Sequence, residues 1–186
     1  MPNVSHLYKI TSTHIKAALL SYWRFKRQMN CMDEVSVCYT SMDVAVDTGG
    51  FLFEVEVKTS KSDLVQGEKR KDKHERYANI GNGKKSFEAK YIPNQFYVCV
   101  PTELVDVAKE WCKKTNPNYG VLEFRSLHWG GWEDMIRVAK KAKFLHENTI
   151  TPHQKNELMQ RAASARAMTY QRMAYKYTDQ DEDYSI

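Results

Sequence analysis

The chain has 186 residues, 42% hydrophobic and 12% aromatic, which suits one folded domain with a helical appendage and excludes a disordered chain. Its apolar runs are short and broken by charge, and the first residues lack the apolar core of a secretory signal. Neither a membrane span nor an export signal is therefore expected, and a cytoplasmic protein is, in a bacterial cell or a phage's host. The net charge of +5 is modest, but basic residues crowd positions 58–90 while an acidic C-terminus lowers the total, which points to a polyanionic partner.

In chain order, Thr11, Ser12 and Thr13 offer N-caps for a helix over 13–29, with Ile15, Ala18, Leu19 and Tyr22 at helical spacing. Alternating, β-branched residues predict a strand over 34–40 and a short one over 42–46. The turn Asp47-Thr48-Gly49-Gly50 then joins the latter to a strand over 51–59, making a hairpin. Ser62 and Asp63 cap a polar helix to about residue 78, against which Gly67 counts, and 80–90 is an exposed loop. An apolar strand over 94–100, a helix from Pro101 to about 114 and a strand over 119–124 follow. His128 to Trp132 reads as a loop, 133–145 as a basic helix, and Thr151-Pro152 opens a last helix to about 177. The order α-β-β-β-α-β-α-β-α-α predicts an α/β sandwich, a mixed central sheet flanked by helices. The expected division is a domain over 1–146, a C-terminal helix over 147–178 and an acidic tail over 179–186.

Chemistry concentrates in the hairpin. On a strand, Glu54, Glu56 and Lys58 project to one face while Phe53, Val55 and Val57 project to the other, so apolar side chains commit one face to the core. The opposite face then carries two carboxylates and an ammonium within roughly 14 Å, and the preceding strand can place Asp43 beside them. Carboxylates crowded in a partly buried sheet take up a proton or a cation, and oxygen ligands suit a hard divalent ion such as Mg²⁺. An ordinary solvent-facing row of cross-strand ion pairs is the bland alternative. Asp43 one strand earlier, Ser60 after the lysine and Asp63 at a helix start tip the reading toward a site.

Asp43 followed by Glu56-Val57-Lys58 resembles the motif of the PD-(D/E)xK nuclease superfamily, which has the restriction-endonuclease-like fold. The stretches from Glu54 to Leu64, Asp72 to Tyr77 and Asn94 to Pro101 resemble the subgroup typified by MmcB-like DNA repair proteins, in which a Lys and a Tyr one helical turn apart match Lys73 and Tyr77. The resemblance covers about 33–124. It implies a metal-dependent deoxyribonuclease acting in DNA repair, recombination or mobile-element processing. Asp43, Glu56 and the Val57 carbonyl would hold Mg²⁺ or Mn²⁺, with Lys58 as catalytic lysine and Glu54 or Glu34 as alternative or accessory ligands. Met42 replaces the motif's Pro, and the first helix lacks the acid common in the family, a role that would fall to His14 or Glu34.

DNA phosphates would then meet Ser60, Lys61, Lys69, Lys73, Arg76, Tyr77, Lys84 and Lys85, although a run of this kind is more often a solvated face. The apolar stripe of Leu158, Met159, Ala162, Ala165, Met168 and Met173 either packs on its own domain or pairs two copies in a homodimer. Trp129 and Trp132 are read as packing rather than as base-stacking wedges. Cys31, Cys38, Cys99 and Cys112 have no metal or disulfide spacing and read as free thiols. A non-catalytic DNA-binding or interaction module that keeps the fold is the rival reading.

Overall fold

A computed structural model describes residues 10–37, 40–68, 71–80, 92–125 and 131–181. Helix α1 (Ser12–Ser21) begins at Thr11, whose side chain and that of His14 form a capping box, and continues through a π-helical turn, Tyr22–Lys26. Strands β1 (Asn30–Val37), β2 (Thr40–Asp47) and β3 (Leu52–Val57) follow as an antiparallel meander. Gly49 at φ 92° makes the β2–β3 turn, a conformation that side chains with a Cβ rarely adopt.

After β3 the chain makes a π-helical turn, Asp63–Gly67, breaks, and resumes as α2 (Lys73–Ile80). The single polar helix expected over 62–78 is thus two pieces. Ser60 rather than Ser62 caps the first, its hydroxyl accepting from the Asp63 amide at 3.2 Å. Strand β4 (Gln95–Pro101), helix α3 (Val105–Thr115) and strand β5 (Gly120–Phe124) follow, with β3, β4 and β5 parallel. The basic helix expected over 133–145 is instead a short 3₁₀ turn and strand β6 (Ile136–Lys140), antiparallel to β5. Lys, Ala and Glu around it favour a helix locally. However, β5 is buried and needs a hydrogen-bonding partner on its open side, and the Ile136-Arg137-Val138 alternation suits a strand. The sheet order is β1-β2-β3-β4-β5-β6.

Alternation decides which layer each strand residue serves. Val44, Val46, Val55, Val57, Tyr97, Cys99, Leu122 and Phe124 pack with Ile15, Ala18 and Leu19 of α1. Phe96, Val98, Val100 and Val121 pack on the other face with Leu64, Tyr77, Ala108 and Trp111. The last helix, α4 (Pro152–Asp181), closes a third cluster by setting Leu158 against Val35, Met42, Ala45 and Leu52. Its cations hold β1 and the β2–β3 turn as well: Lys155 reaches the Gly49 carbonyl at 2.8 Å, Arg161 the Ser36 carbonyl at 3.1 Å and Arg166 the Asp33 carboxylate at 2.8 Å. Of the expected apolar stripe, Leu158 is buried, Ala162 and Ala165 are half-buried, and Met159, Met168 and Met173 are exposed. No helix among the described residues is long and apolar enough to cross a membrane.

Candidate active site

The sheet forks at Asp43. Strands β2 and β3 pair from Asp47↔Leu52 to Val44↔Val55. Beyond that step β2 continues only with β1, to Ser36↔Ser41 and Val37↔Thr40, and β3 continues only with β4, to Val57↔Cys99. The fork coincides with a local twist. Val44 and Val46 face α1, but Met42 faces α4, so the alternation of β2 breaks at Asp43. Opposite, Glu34 takes φ 53°, an uncommon conformation for a residue other than glycine. Where the backbone ladder ends, the Asp43 side chain replaces it, its Oδ2 accepting from the Val57 amide at 2.8 Å. Its Oδ1 lies 3.0 Å from the Lys16 ammonium, which also pairs with Glu34.

As expected from alternation, Glu54 and Glu56 leave β3 opposite Val55 and Val57 and enter a buried charge cluster. Glu54, Glu56, Lys58, Glu68 and Lys73 are 0%, 3%, 5%, 1% and 1% exposed, a degree of burial that charged groups tolerate only when paired. Lys73 supplies much of the pairing, reaching Glu54 at 2.7 Å and Glu56 at 2.6 Å. Tyr77 donates to Glu54 Oε2 at 2.5 Å. Lys58 lies 3.3 Å from Glu56 and 2.8 Å from Glu68, and the partly exposed Lys71 pairs with both carboxylates. Three glutamates (54, 56, 68) therefore face three lysines (58, 71, 73).

Burial opposes the charge on Lys58, but Glu56, Glu68 and Asp63 outweigh it and raise the ammonium pKa above its usual 10.5. Lys73 is raised likewise, burial being overcome by Glu54, Glu56 and Glu68. Burial also opposes the Glu68 carboxylate, yet His74, Lys73, Lys58 and Lys71 hold it well below 4.5. Burial, then Glu54, pushes the Tyr77 phenol well above 10.0.

Several expected roles change. Lys73 and Tyr77 are both bonded to Glu54, so they support the carboxylates from within the cluster. Glu54 is likewise engaged by these two and closed to solvent. His14 serves the cap of α1, and Glu34 meets the site only through Lys16. Ser60 is a cap, Lys61 is exposed beside it and Arg76 is half-buried. Lys69, Lys84, Lys85 and Trp129 lie outside the described residues. Sequence reasoning did not single out Lys16, Glu68, His74 or Tyr119. No spacing rule marks them, because each meets the site only through the folded sheet.

Asp43, Glu56 and the Val57 carbonyl offer only oxygen donors, and they lie on the two strands flanking the fork. In kind they fit a hard divalent ion, which needs few carboxylates because Mg²⁺ keeps several waters. As the ion pairs stand, ammonium groups occupy both carboxylates. Among the described residues no three His, Cys, Asp or Glu side chains converge as a metal site.

No family model matches the chain, and no curated protein does. Its structural neighbours include an XisH family protein from Nostoc punctiforme PCC 73102, at 16% identity and a TM-score of 0.37, covering 61% of this chain and 89% of that one. Another is an fdxN element excision controlling factor protein from Anabaena variabilis, at 15% identity and a TM-score of 0.39, covering 72% of this chain and 99% of that one.

Proposed function

We propose that this chain is a metal-dependent deoxyribonuclease of the PD-(D/E)xK superfamily with the restriction-endonuclease-like fold, akin to MmcB-like DNA repair proteins. The observation that carries the reading is the fork: β2 and β3 part where the two halves of the motif sit, and Asp43 bonds the amide of Val57, the residue between Glu56 and Lys58. A parted sheet with paired carboxylates and a lysine at its opening is an arrangement in which a phosphodiester and its attacking water can be held together.

Asp43, Glu56 and the Val57 carbonyl would hold Mg²⁺ or Mn²⁺, which supplies an activated water and neutralises phosphate charge. The chain's own residues do the rest. Lys58 presents a fixed ammonium to the developing anion, and its raised pKa keeps it charged throughout the neutral range. Lys16 holds the outer oxygen of Asp43 in place. The exposed Lys61 and partly exposed Lys71 stand at the end of β3, where a DNA phosphate would enter.

Incubating the purified chain with labelled duplex, flap, junction and single-stranded DNA, and with RNA, with and without Mg²⁺ or Mn²⁺, tests the reading. Metal-dependent cutting of DNA that disappears in Asp43→Asn is expected; cutting by Asp43→Asn at the wild-type rate overturns it. The ion pairs on Glu56 favour one second reading, a DNA-binding module without catalysis. Salt-sensitive DNA binding with no Mg²⁺ uptake in calorimetry would select that reading.

A further inference from the structure

Glu68 lies outside the motif, at the end of the helical turn that precedes α2, yet its side chain is more deeply buried than that of Lys58. Its two oxygens face opposite ways. Oε1 lies 2.8 Å from Lys58 Nζ and 2.7 Å from Lys71 Nζ, without a well-aligned hydrogen bond to either. Oε2 lies 2.8 Å from His74 Nε2, and His74 Nδ1 lies 2.9 Å from the Tyr119 hydroxyl. A carboxylate only accepts, so Nε2 carries a proton, and in the neutral ring Nδ1 accepts from Tyr119. The imidazole is fixed by edge contacts with Phe96, Tyr77 and Trp111 at centroid distances of 5.4, 6.2 and 5.4 Å. A rigid relay, Tyr119–His74–Glu68, thus runs from the core beneath β5 to the lysine of the site.

The distances say what the relay does. Lys58 is nearer Glu68, at 2.8 Å, than its motif neighbour Glu56, at 3.3 Å. Glu54 and Glu56 already have Lys73 between them, so neutralising Glu56 does not require Lys58. We propose that Glu68, fixed by His74 and Tyr119, is the positioning residue for Lys58: it holds the ammonium from the side opposite Glu56, to which Lys58 donates at 3.3 Å, and so sets where it meets the phosphate. The phosphate role rests on the nuclease reading above; the placement of the ammonium does not.

The test therefore has two arms. Lysine-selective ¹⁵N labelling reports ammonium groups that are buried and slow to exchange, with Lys58 and Lys73 assigned through Lys58→Arg and Lys73→Arg. Glu68→Gln should abolish the Lys58 signal or shift it much further than that of Lys73, which keeps its contacts with Glu54 and Glu56, whereas Glu68→Asp, which keeps the charge, should retain a Lys58 signal. Should Glu68→Gln fail to fold, His74→Phe replaces it, keeping the ring packing and removing the support; it too should shift the Lys58 signal further than that of Lys73. A Lys58 signal unchanged in the folded variant overturns the proposal. In DNA cleavage, Glu68→Gln should lower kcat by about 10–100-fold, the usual loss for a supporting residue, while KM stays within about threefold. An unchanged kcat overturns the catalytic part, and a wild type that cuts no DNA counts against the nuclease reading while the ammonium signals still judge Glu68.

Discussion

Lys73 lies 2.7 Å from Glu54 and 2.6 Å from Glu56, with its ammonium 5.3 Å from the centre of the Phe96 ring. Removing one partner of such a buried set leaves uncompensated charge, which costs about 3–5 kcal/mol. Lys73→Met, close in shape but neutral, should therefore lower unfolding stability in urea by that amount. A loss below about 1 kcal/mol would mean that Glu54 and Glu56 need no internal cation. The thiols give a second check at this scale. Burial raises the pKa of Cys99 and pushes that of Cys112 up to about 12, so at pH 8 both should resist a thiol reagent until urea unfolds the chain. Prompt native-state labelling of either would contradict their placement. Legibility at this scale followed sequence distance. Glu56 and Lys58 were readable because they are two apart on one strand, where alternation alone puts them on one face. Lys16 and Glu68 were not, because their partners Asp43 and Lys58 come within reach only after the sheet and the break before α2 have formed. Lys73 and Tyr77 were readable as a helical pair, but not as buried. Their charged surroundings look like a solvated face until Glu54 and Glu56 are known to point at them.

Among the elements, the hairpin β2–β3 was the most legible, since Gly49 and Gly50 sit between two alternating runs. β6 was the least. Its five residues carry helix-favouring Lys and Ala, and only the open side of β5 makes it a strand, a tertiary demand that no local propensity contains. Helix α4 divides into a buried anchor and a more exposed end. Leu158 is fully buried among Val35, Met42, Ala45 and Leu52, so Leu158→Ala should cost about 2–5 kcal/mol. Met168, Tyr170 and Met173 are exposed, so ending the chain after Arg166 should cost about 1 kcal/mol or less, well below the loss for Leu158→Ala. Equal losses from both changes in chemical denaturation would refute that division. Whether the stripe pairs two copies is judged on the same proteins: a homodimer would give a full-length dimer mass in light scattering that becomes monomeric on truncation.

At the scale of the whole molecule, the charge cluster ties stability to pH at both ends. The Glu68 carboxyl is held below its unfolded value of 4.5, so its contribution is present above that pH and is lost as pH falls below it. Lys58 and Lys73 are held above 10.5, so theirs is present below that pH and is lost as pH rises past it; Cys112 adds a loss that begins near 9.0. The melting temperature should therefore be level between about pH 5 and 9 and fall on either side. In Glu68→Gln the acid limb should be shallower; an unchanged acid limb would place the acid sensitivity elsewhere. The mixed sheet with helices on both faces was legible from periodicity. The fork was not, because β1–β2 pairing passes over Glu34 and Asp43 between Asp33↔Val44 and Val35↔Met42, an irregularity that no residue pattern marks. The fork is where the proposed nuclease would hold its substrate. The most direct test is single-turnover cleavage of the preferred DNA at saturating Mg²⁺ by the wild type and Lys58→Ala, with DNA affinity measured alongside. The predicted result is a rate loss of about 10²–10³-fold, typical of removing one preorganised electrostatic group, with affinity within about threefold. A folded Lys58→Ala protein that cuts as fast as the wild type would contradict it.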